Sequence, residues 1–232
     1  MVNKQRGFTL VEIAIVLVII GLLLGGILKG QELITSARVR NLADQAAGVQ
    51  AAYYGFVDRF RAIPGDWDLD LANQALPGPA PTGGNNNGRI DNGWGEALAV
   101  WQHLSMAGFI QGDYQGGAAN PQPNSQNEAP RNAFGGFMVL AHTPDYTPAA
   151  AATPKVNLAL GRSIPVNISR ELDTKMDDGL PSSGVLRGPV AGGAYDPESG
   201  FDATTPCVSL VGGVDIWNVD GANEDCNAAH LY

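Results

Sequence analysis

The chain has 232 residues, of which 30 are glycine and 15 are proline, and it carries a formal net charge of −9. This length allows one core of ordinary size beside a long helix. An acidic chain without a basic stripe argues against nucleic acid as the main ligand. The abundance of glycine and proline is more typical of a loop-rich exported domain than of an enzyme core.

The N-terminal segment is apolar and long enough to cross a membrane. The 21 residues from Phe8 to Leu28 contain one charged residue, Glu12. As a helix this segment would be about 30 Å long, which matches the hydrocarbon thickness of a bilayer. Lys4 and Arg6 precede it without an acid, so we expect the N-terminus in the cytoplasm and the chain after Leu28 on the other side.

Three kinds of segment share this apolar character. A secretory signal peptide would end in a small-x-small cleavage site and would rarely contain an acid, and the residues after Leu28 offer only weak candidates. A plain membrane anchor explains neither Glu12 nor the glycine at position 7. The third kind is a leader that is cut on the cytoplasmic side, before the apolar run.

Residues Arg6–Glu12, RGFTLVE, closely resemble the class III signal of type IV pilins and of the pseudopilins of type II secretion. In that family a prepilin peptidase cuts after the glycine and N-methylates the new first residue. The resemblance therefore implies cleavage between Gly7 and Phe8 and methylation of Phe8. Glu12 then becomes the fifth residue of the mature chain, where the family has its acid.

Glu12 requires a partner, because an acid near the bilayer core costs roughly 2.5–3.5 kcal/mol on insertion scales. Cleavage would give Phe8 a free amine, and helices stacked with an axial offset bring this amine of one subunit beside Glu12 of another. Two buried charges are tolerated when they pair, so the pair would set the register of assembly. A stray acid near the membrane interface is the alternative.

The helical pattern continues beyond Leu28 with apolar residues at alternating spacings of four and three, a period of 3.5. These seam residues are Leu42, Ala46, Val49, Tyr53, Phe56, Phe60 and Ile63. We expect one helix from about Phe8 to Ala62, stopped by Pro64 and Gly65, with its second half packed on the head. A coiled coil with another chain is the alternative.

The apolar part of this helix lacks a proline. Pilus subunits of the family commonly have one there, which lets the helix melt in the fibre, and none lies between Phe8 and Ile63. Gly21, Gly25 and Gly26 could supply similar softness, since each glycine costs about 1 kcal/mol of helix relative to alanine. The missing proline keeps the pseudopilin branch open.

The rest of the chain predicts a loop-rich α+β head with a mainly antiparallel sheet. Ser169 is expected to be an N-cap, and residues 64–133 are mostly irregular apart from one short helix. The predicted elements are a helix over 95–110, strands over 134–142 and 156–160, a helix over 170–177, and strands near 185–186 and 207–219.

The two cysteines, Cys207 and Cys226, fall on the predicted extracytoplasmic side, where they most simply form a disulfide. Such a bridge would stabilise the fold by roughly 3 kcal/mol on the loop-entropy model. It also resembles the C-terminal disulfide loop of many type IV pilins. Free thiols or metal ligands are the alternative.

Calcium is the one ligand that the sequence suggests, and only weakly. Asp173, Asp177 and Asp178 form an oxygen-rich cluster, and some pseudopilins bind calcium in their C-terminal region. The segment 85–92, NNNGRIDN, departs from a calcium loop at its first and last ligand positions. Solvated loop acids are the simpler interpretation of both, so no metal ligand is assigned. The histidines lie in no metal spacing and beside no nucleophile, so we expect no catalytic residues.

Together these features predict a structural subunit of a type IV pilus-like fibre, with a leader over 1–7, a helix over 8–63 and an extracytoplasmic head over 64–232. Residues 8–28 would span the inner membrane once and later line the fibre core. The expected partners are other copies in a helical homopolymer, related pilins, the prepilin peptidase and an inner-membrane assembly platform. The alternatives are a periplasmic pseudopilin of type II secretion and a membrane-anchored binding or enzymatic domain that does not polymerise.

Overall fold

The computed structural model describes residues 9–78, 82–91, 93–117, 127–144, 146, 153–189 and 207–232. Within them the chain is α+β, with a long N-terminal helix and antiparallel sheets. The helices are α1 (Leu10–Phe60), α2 (Leu69–Ala75), α3 (Trp94–Met106) and α4 (Val166–Met176). The strands are β1 (Val139–Thr143), β2 (Lys155–Ala159), β3 (Leu186–Arg187), β4 (Val208–Val211), β5 (Val214–Trp217) and β6 (Ala229–Leu231). Two compact units divide between Arg38 and Val39.

The first unit contains the apolar part of α1. Its richest 18-residue window has a mean hydropathy of 2.8, and none of that window is buried. Among the described residues, α1 is the one helix long and apolar enough to cross a membrane. The helix passes through Gly21, Gly25 and Gly26 without interruption, because a straight backbone tolerates glycine where no proline removes a hydrogen bond.

The second unit begins with the amphipathic part of α1, which the seam predicted. Leu42, Ala46, Val49, Tyr53 and Phe56 are buried, and Phe60 and Ile63 pack against the same core. The seam is therefore core of this chain's own head. Two further small side chains on the same face, Val39 and Ala52, are also buried.

The helix α1 ends at Phe60, slightly before the expected Ala62. Arg61 takes a left-handed conformation with φ 53°, and its N–H still donates to the carbonyl of Val57 at 2.9 Å. A left-handed residue directly after the last helical one is a common helix terminus. The chain therefore leaves the helix before Pro64 can stop it.

A four-stranded antiparallel sheet forms the centre of the second unit, in the order β1-β2-β6-β3. The central strand β2 pairs with β1 on one side and with β6 on the other. Helix α3 packs against β1 and places Trp101 and Leu104, both fully buried, in the main core. The strands β4 and β5 form a separate hairpin.

Two short elements, α2 and β6, were not predicted from the sequence. The region 64–133, predicted to contain one helix, also holds α2, whose N-cap Asp68 accepts hydrogen bonds from the N–H groups of Asp70 and Leu71. Strand β6 has three residues, too few for a period-two pattern to be visible, and it forms only because β2 and β3 offer free edges on both sides of it.

The prediction that Ser169 caps α4 is wrong. The helix begins at Val166, and Ser169 lies inside it and is buried. Val166, Ile168 and Leu172 all enter the core, and the carbonyl of Asn223 accepts the first free N–H of the helix, at Val166. Tertiary packing thus starts the helix one turn early.

The predicted strands over 134–142 and 207–219 are also revised. The first is shortened to β1, because the Asn132 carboxamide oxygen accepts the N–H groups of Phe134 and Gly136 and closes a turn there. The second is two strands, because Gly212 and Gly213 both have positive φ. Such backbone conformations favour a tight hairpin turn.

The predicted disulfide is present and joins Cys207 to Cys226. Cys207 lies just before β4, and Cys226 pairs with Ile164, the residue that precedes Pro165 and α4. Its N–H donates to the Ile164 carbonyl at 2.8 Å. The bridge therefore fixes the exposed hairpin to the segment that leads into α4.

We expect the double variant Cys207→Ala/Cys226→Ala to be less stable by about 3 kcal/mol, because the loop of 19 residues gains conformational entropy in the unfolded chain. For a head of this size the midpoint of thermal unfolding should fall by roughly 6–12 °C. Differential scanning calorimetry measures this, and reduced wild-type protein is the control. An unchanged midpoint in both samples would contradict the expectation.

Candidate functional site

The first turn of α1 holds the acid that the sequence singled out. Thr9 directly precedes the helix, and its backbone N–H donates to Glu12 Oε2 at 2.8 Å. Its hydroxyl donates to the same oxygen at 2.7 Å, and the N–H of Glu12 approaches Thr9 Oγ1 at 3.3 Å. This reciprocal arrangement is a capping box, which satisfies two of the free N–H groups at a helix start.

The capping box gives Glu12 a local role that the sequence interpretation missed. The signal was present, since Thr9 and Glu12 have the T-x-x-E spacing of a capping box directly before an apolar run. A carboxylate is also favoured at the positive end of the helix dipole. Glu12 is therefore held in place within its own chain, with both Thr9 hydrogen bonds on one of its two oxygens.

The cleavage residues predicted beside it, Gly7 and Phe8, lie outside the described residues. The apolar surface that follows Glu12 is exposed on every side of the helix; Leu22, for example, is 74% exposed. Charges reappear after Leu28, where Lys29 and Glu32 form an ion pair at 2.7 Å. The described part of the segment thus presents one capped acid and then an uncovered apolar cylinder.

The structure brings together the three acids of the calcium candidate in the C-terminal half of the chain. Asp173 lies near the C-terminal end of α4, and Asp177 and Asp178 are the two residues that directly follow this helix. One carboxylate oxygen from each lies within 4.8 Å of the others. Asp173 is buried, Asp177 is half-buried and Asp178 is exposed.

In the other oxygen-rich segment, residues 85–92, the polar side chains hydrogen-bond to one another. Asn85 and Asn87 each donate a side-chain N–H to Asp91 Oδ2, at 2.8 and 3.0 Å. Glu96 accepts the backbone N–H groups of Asn85 and Asp91, and Asp66 accepts those of Asn87 and Gly88. These carboxylates hold the loop against the head by hydrogen bonds to its backbone.

Two histidines also support loops. His103 is fully buried, accepts the N–H of Gly65 at Nδ1 and lies 3.0 Å from the Thr82 carbonyl at Nε2. His142 accepts the N–H of Ile90 at 2.9 Å. Burial lowers the pKa of both imidazoles, which favours the neutral rings that these hydrogen bonds require.

Comparison with known proteins gives one match, at the N-terminus. The family described as the prokaryotic N-terminal methylation motif matches residues 2–28. No curated protein and no solved structure matches the chain. The matched residues include the capped acid and most of the exposed apolar surface described above.

The sequence resemblance and this match agree on the same residues. Type IV pilins and pseudopilins are structural proteins that carry this signal at the start of an apolar helix, as α1 carries it here. Residues 2–28 are thus similar to the N-terminal methylation motif that type IV pilins and pseudopilins carry as their class III prepilin signal.

Proposed function

We propose that this protein is the structural subunit of a type IV pilus-like fibre and that it polymerises through α1. The observation that carries the proposal is the capped acid at the start of an uncovered apolar helix. Fourteen large apolar side chains between Leu10 and Leu28 are exposed. Each contributes about 1.5–3 kcal/mol when it is removed from water, so leaving all of them in water costs on the order of 20 kcal/mol.

Two environments can cover this surface in turn. Before assembly the helix would span the inner membrane once, with the N-terminus in the cytoplasm. After assembly the same side chains would pack against those of other copies. Lipid tails are about as apolar as leucine, so moving the helix from lipid to protein brings little hydrophobic gain. Specific contacts must then decide whether and in what register the subunits assemble.

Glu12 is the group that supplies such a contact. The proposed cleavage by prepilin peptidase would give Phe8 a methylated amine, which carries a positive charge. The capping box orients the Glu12 carboxylate through Oε2, and the amine of a neighbouring copy would neutralise it. A buried charge pair rewards one alignment of the helices, because every other alignment leaves a charge unpaired.

A pseudopilus subunit of type II secretion is the second candidate. It is favoured by the lack of a proline in α1, since the helix then has no fixed point at which to melt in a fibre. The disulfide and the large head favour the pilus. Under either proposal the partners are copies of this chain, related pilins, the peptidase and an inner-membrane assembly platform, and the protein is not an enzyme.

Processing can be tested at Gly7. We expect the mature chain to begin at methylated Phe8 and Gly7→Val to block cleavage, because a branched side chain should not fit a subsite shaped for glycine. Intact-mass spectrometry of membrane-extracted protein distinguishes the two forms. The matched control is Gly21→Val, which makes the same change inside the helix and should be cleaved normally. Full-length leader on assembled wild-type protein would refute the proposal.

Assembly can be tested at Glu12. We expect Glu12→Gln to leave cleavage and the head intact but to reduce fibre yield at least tenfold. Glutamine fits the same capping box, so the helix start is kept and only the charge is lost. Breaking one side of a buried pair costs about 3–5 kcal/mol. Sheared-fibre yield, with the variant as the sole subunit, is the measurement.

Thr9→Val is the matched control for Glu12→Gln. It removes the hydroxyl of the capping box and keeps the charge of Glu12, so it separates the effect of the cap from that of the charge. We expect its fibre yield to stay well above that of Glu12→Gln. Wild-type fibre yield from Glu12→Gln would exclude the charge pair as the contact that sets the register of assembly.

A further inference from the structure

The chain between α1 and α3 is held to the head by hydrogen bonds to two histidines. We call its described residues, 64–78 and 82–91, the returning loop, because the second part folds back on the first. The N–H of Gly84 donates to the Trp67 carbonyl at 2.8 Å, and a Cβ at Gly84 would collide with the backbone of Asp66. The two parts therefore lie against each other, and a contact that holds one of them also holds the other.

His103, on α3, contacts both parts of the returning loop. Its Nδ1 accepts the N–H of Gly65 at 3.0 Å, and its Nε2 lies 3.0 Å from the carbonyl oxygen of Thr82. Because a carbonyl only accepts, Nε2 carries the proton and Nδ1 is the acceptor. The ring is fully buried and contacts Phe56 of α1 and Trp67 of the loop, neither of which is charged.

His142, on β1, holds the end of the same loop. Its Nδ1 accepts the N–H of Ile90 at 2.9 Å, and its own backbone N–H donates to the Ile90 carbonyl at 2.9 Å. The charged groups that act on this half-buried ring are Arg89, Asp66 and Asp91. Burial lowers the pKa of the His142 imidazole and Arg89 adds to this effect, whereas the Ile90 backbone and the two acids act in the opposite direction.

A proton on either Nδ1 would break the hydrogen bond at that atom. The imidazolium has two N–H donors and no acceptor. In the charged ring of His103 a donor would face the N–H of Gly65, and in that of His142 a donor would face the N–H of Ile90. An N–H group that loses its acceptor inside a protein is costly. The held loop therefore requires two neutral rings, and a charged ring favours exposure of the loop to water.

We propose that His103 and His142 form an acid-sensitive attachment of the returning loop, which leaves the head when both rings take up a proton. Burial lowers the pKa of both imidazoles while the loop is held, whereas a ring exposed to water has the ordinary pKa of about 6.5. Below that pH the released loop binds more protons than the held loop, so acid shifts the equilibrium towards release. This attachment does not depend on whether the chain polymerises.

Glu96 faces the same loop and acts against release. It lies in the first turn of α3 and accepts the N–H groups of Asn85 and Asp91. Burial raises the pKa of its carboxyl, so the held loop takes up this proton more readily than the released loop, and acid stabilises the attachment at this point. One carboxyl opposes two imidazoles, and we expect release as the net effect.

The test is hydrogen–deuterium exchange of the full chain in detergent, measured by mass spectrometry at about pH 7.5 and about pH 5.5, on either side of the ordinary histidine pKa. After correction for the intrinsic effect of pH on exchange, protection of the returning loop should fall by up to about tenfold for each ring and about a hundredfold for both. Peptides from α4 should keep their protection, because this helix takes no part in these hydrogen bonds. Equal protection of the loop at the two pH values, or an equal loss in α4, would overturn the proposal.

Substitutions identify the rings that respond to pH. His142→Asn places a carboxamide oxygen near the position of Nδ1, so it accepts the N–H of Ile90 at either pH. It should remove about tenfold of the acid effect in peptides from 82–91. His103→Asn should have a similar effect on the whole loop, and if this smaller side chain prevents folding, His142→Asn alone is the test.

The matched control is His230→Asn, which removes the third histidine of the chain. His230 lies in β6, where its strand partners are Leu158 and Leu186. This variant should show the wild-type effect of pH on the returning loop. A wild-type effect in His142→Asn, or a lost effect in His230→Asn, would refute the assignment to His103 and His142.

Discussion

The first part of α1 presents apolar side chains around its whole circumference, and this surface has to be covered by something other than water. The cost of exposing it, on the order of 20 kcal/mol, exceeds the net stability of 5–15 kcal/mol that an ordinary domain possesses. No packing within the head can compensate for it, because the described residues of this segment are exposed. The function proposed for the protein follows from this constraint, since a bilayer and a bundle of like helices are the coverings that fit a cylinder.

The second part of the same helix has the opposite role. Once the apolar residues are confined to one face, as from Val39 onward, the helix becomes an ordinary core element. The helix α1 is thus exposed and apolar in its first part, which the proposed function uses for assembly. In its second part it packs in the core of the head. The change lies in the pattern of side chains alone, because the backbone hydrogen bonds of α1 continue through Arg38.

The head shows how an acidic, glycine-rich chain builds a stable domain with little regular structure. Its loops depend on side-chain oxygens that accept backbone N–H groups, which in a more regular protein would pair within helices and sheets. Asp66 holds the loop at Asn87 and Gly88, and Asp225 accepts the N–H of Ser163 and forms an ion pair with Arg162. Many acids among the described residues of this chain are therefore structural.

The sequence by itself determined the features that depend on local pattern. The signal around Gly7, the apolar segment, the seam from Leu42 to Ile63 and the pairing of two cysteines are readable because each follows from spacing or from compartment. Tertiary structure alone decided where α4 begins, since the Asn223 carbonyl that accepts its first N–H lies far away in the sequence. It also decided that three residues near the C-terminus form the strand β6, and that the Trp217 indole N–H donates to Asp173. Burial and long-range hydrogen bonding are properties of the packed chain, and a local pattern cannot contain them.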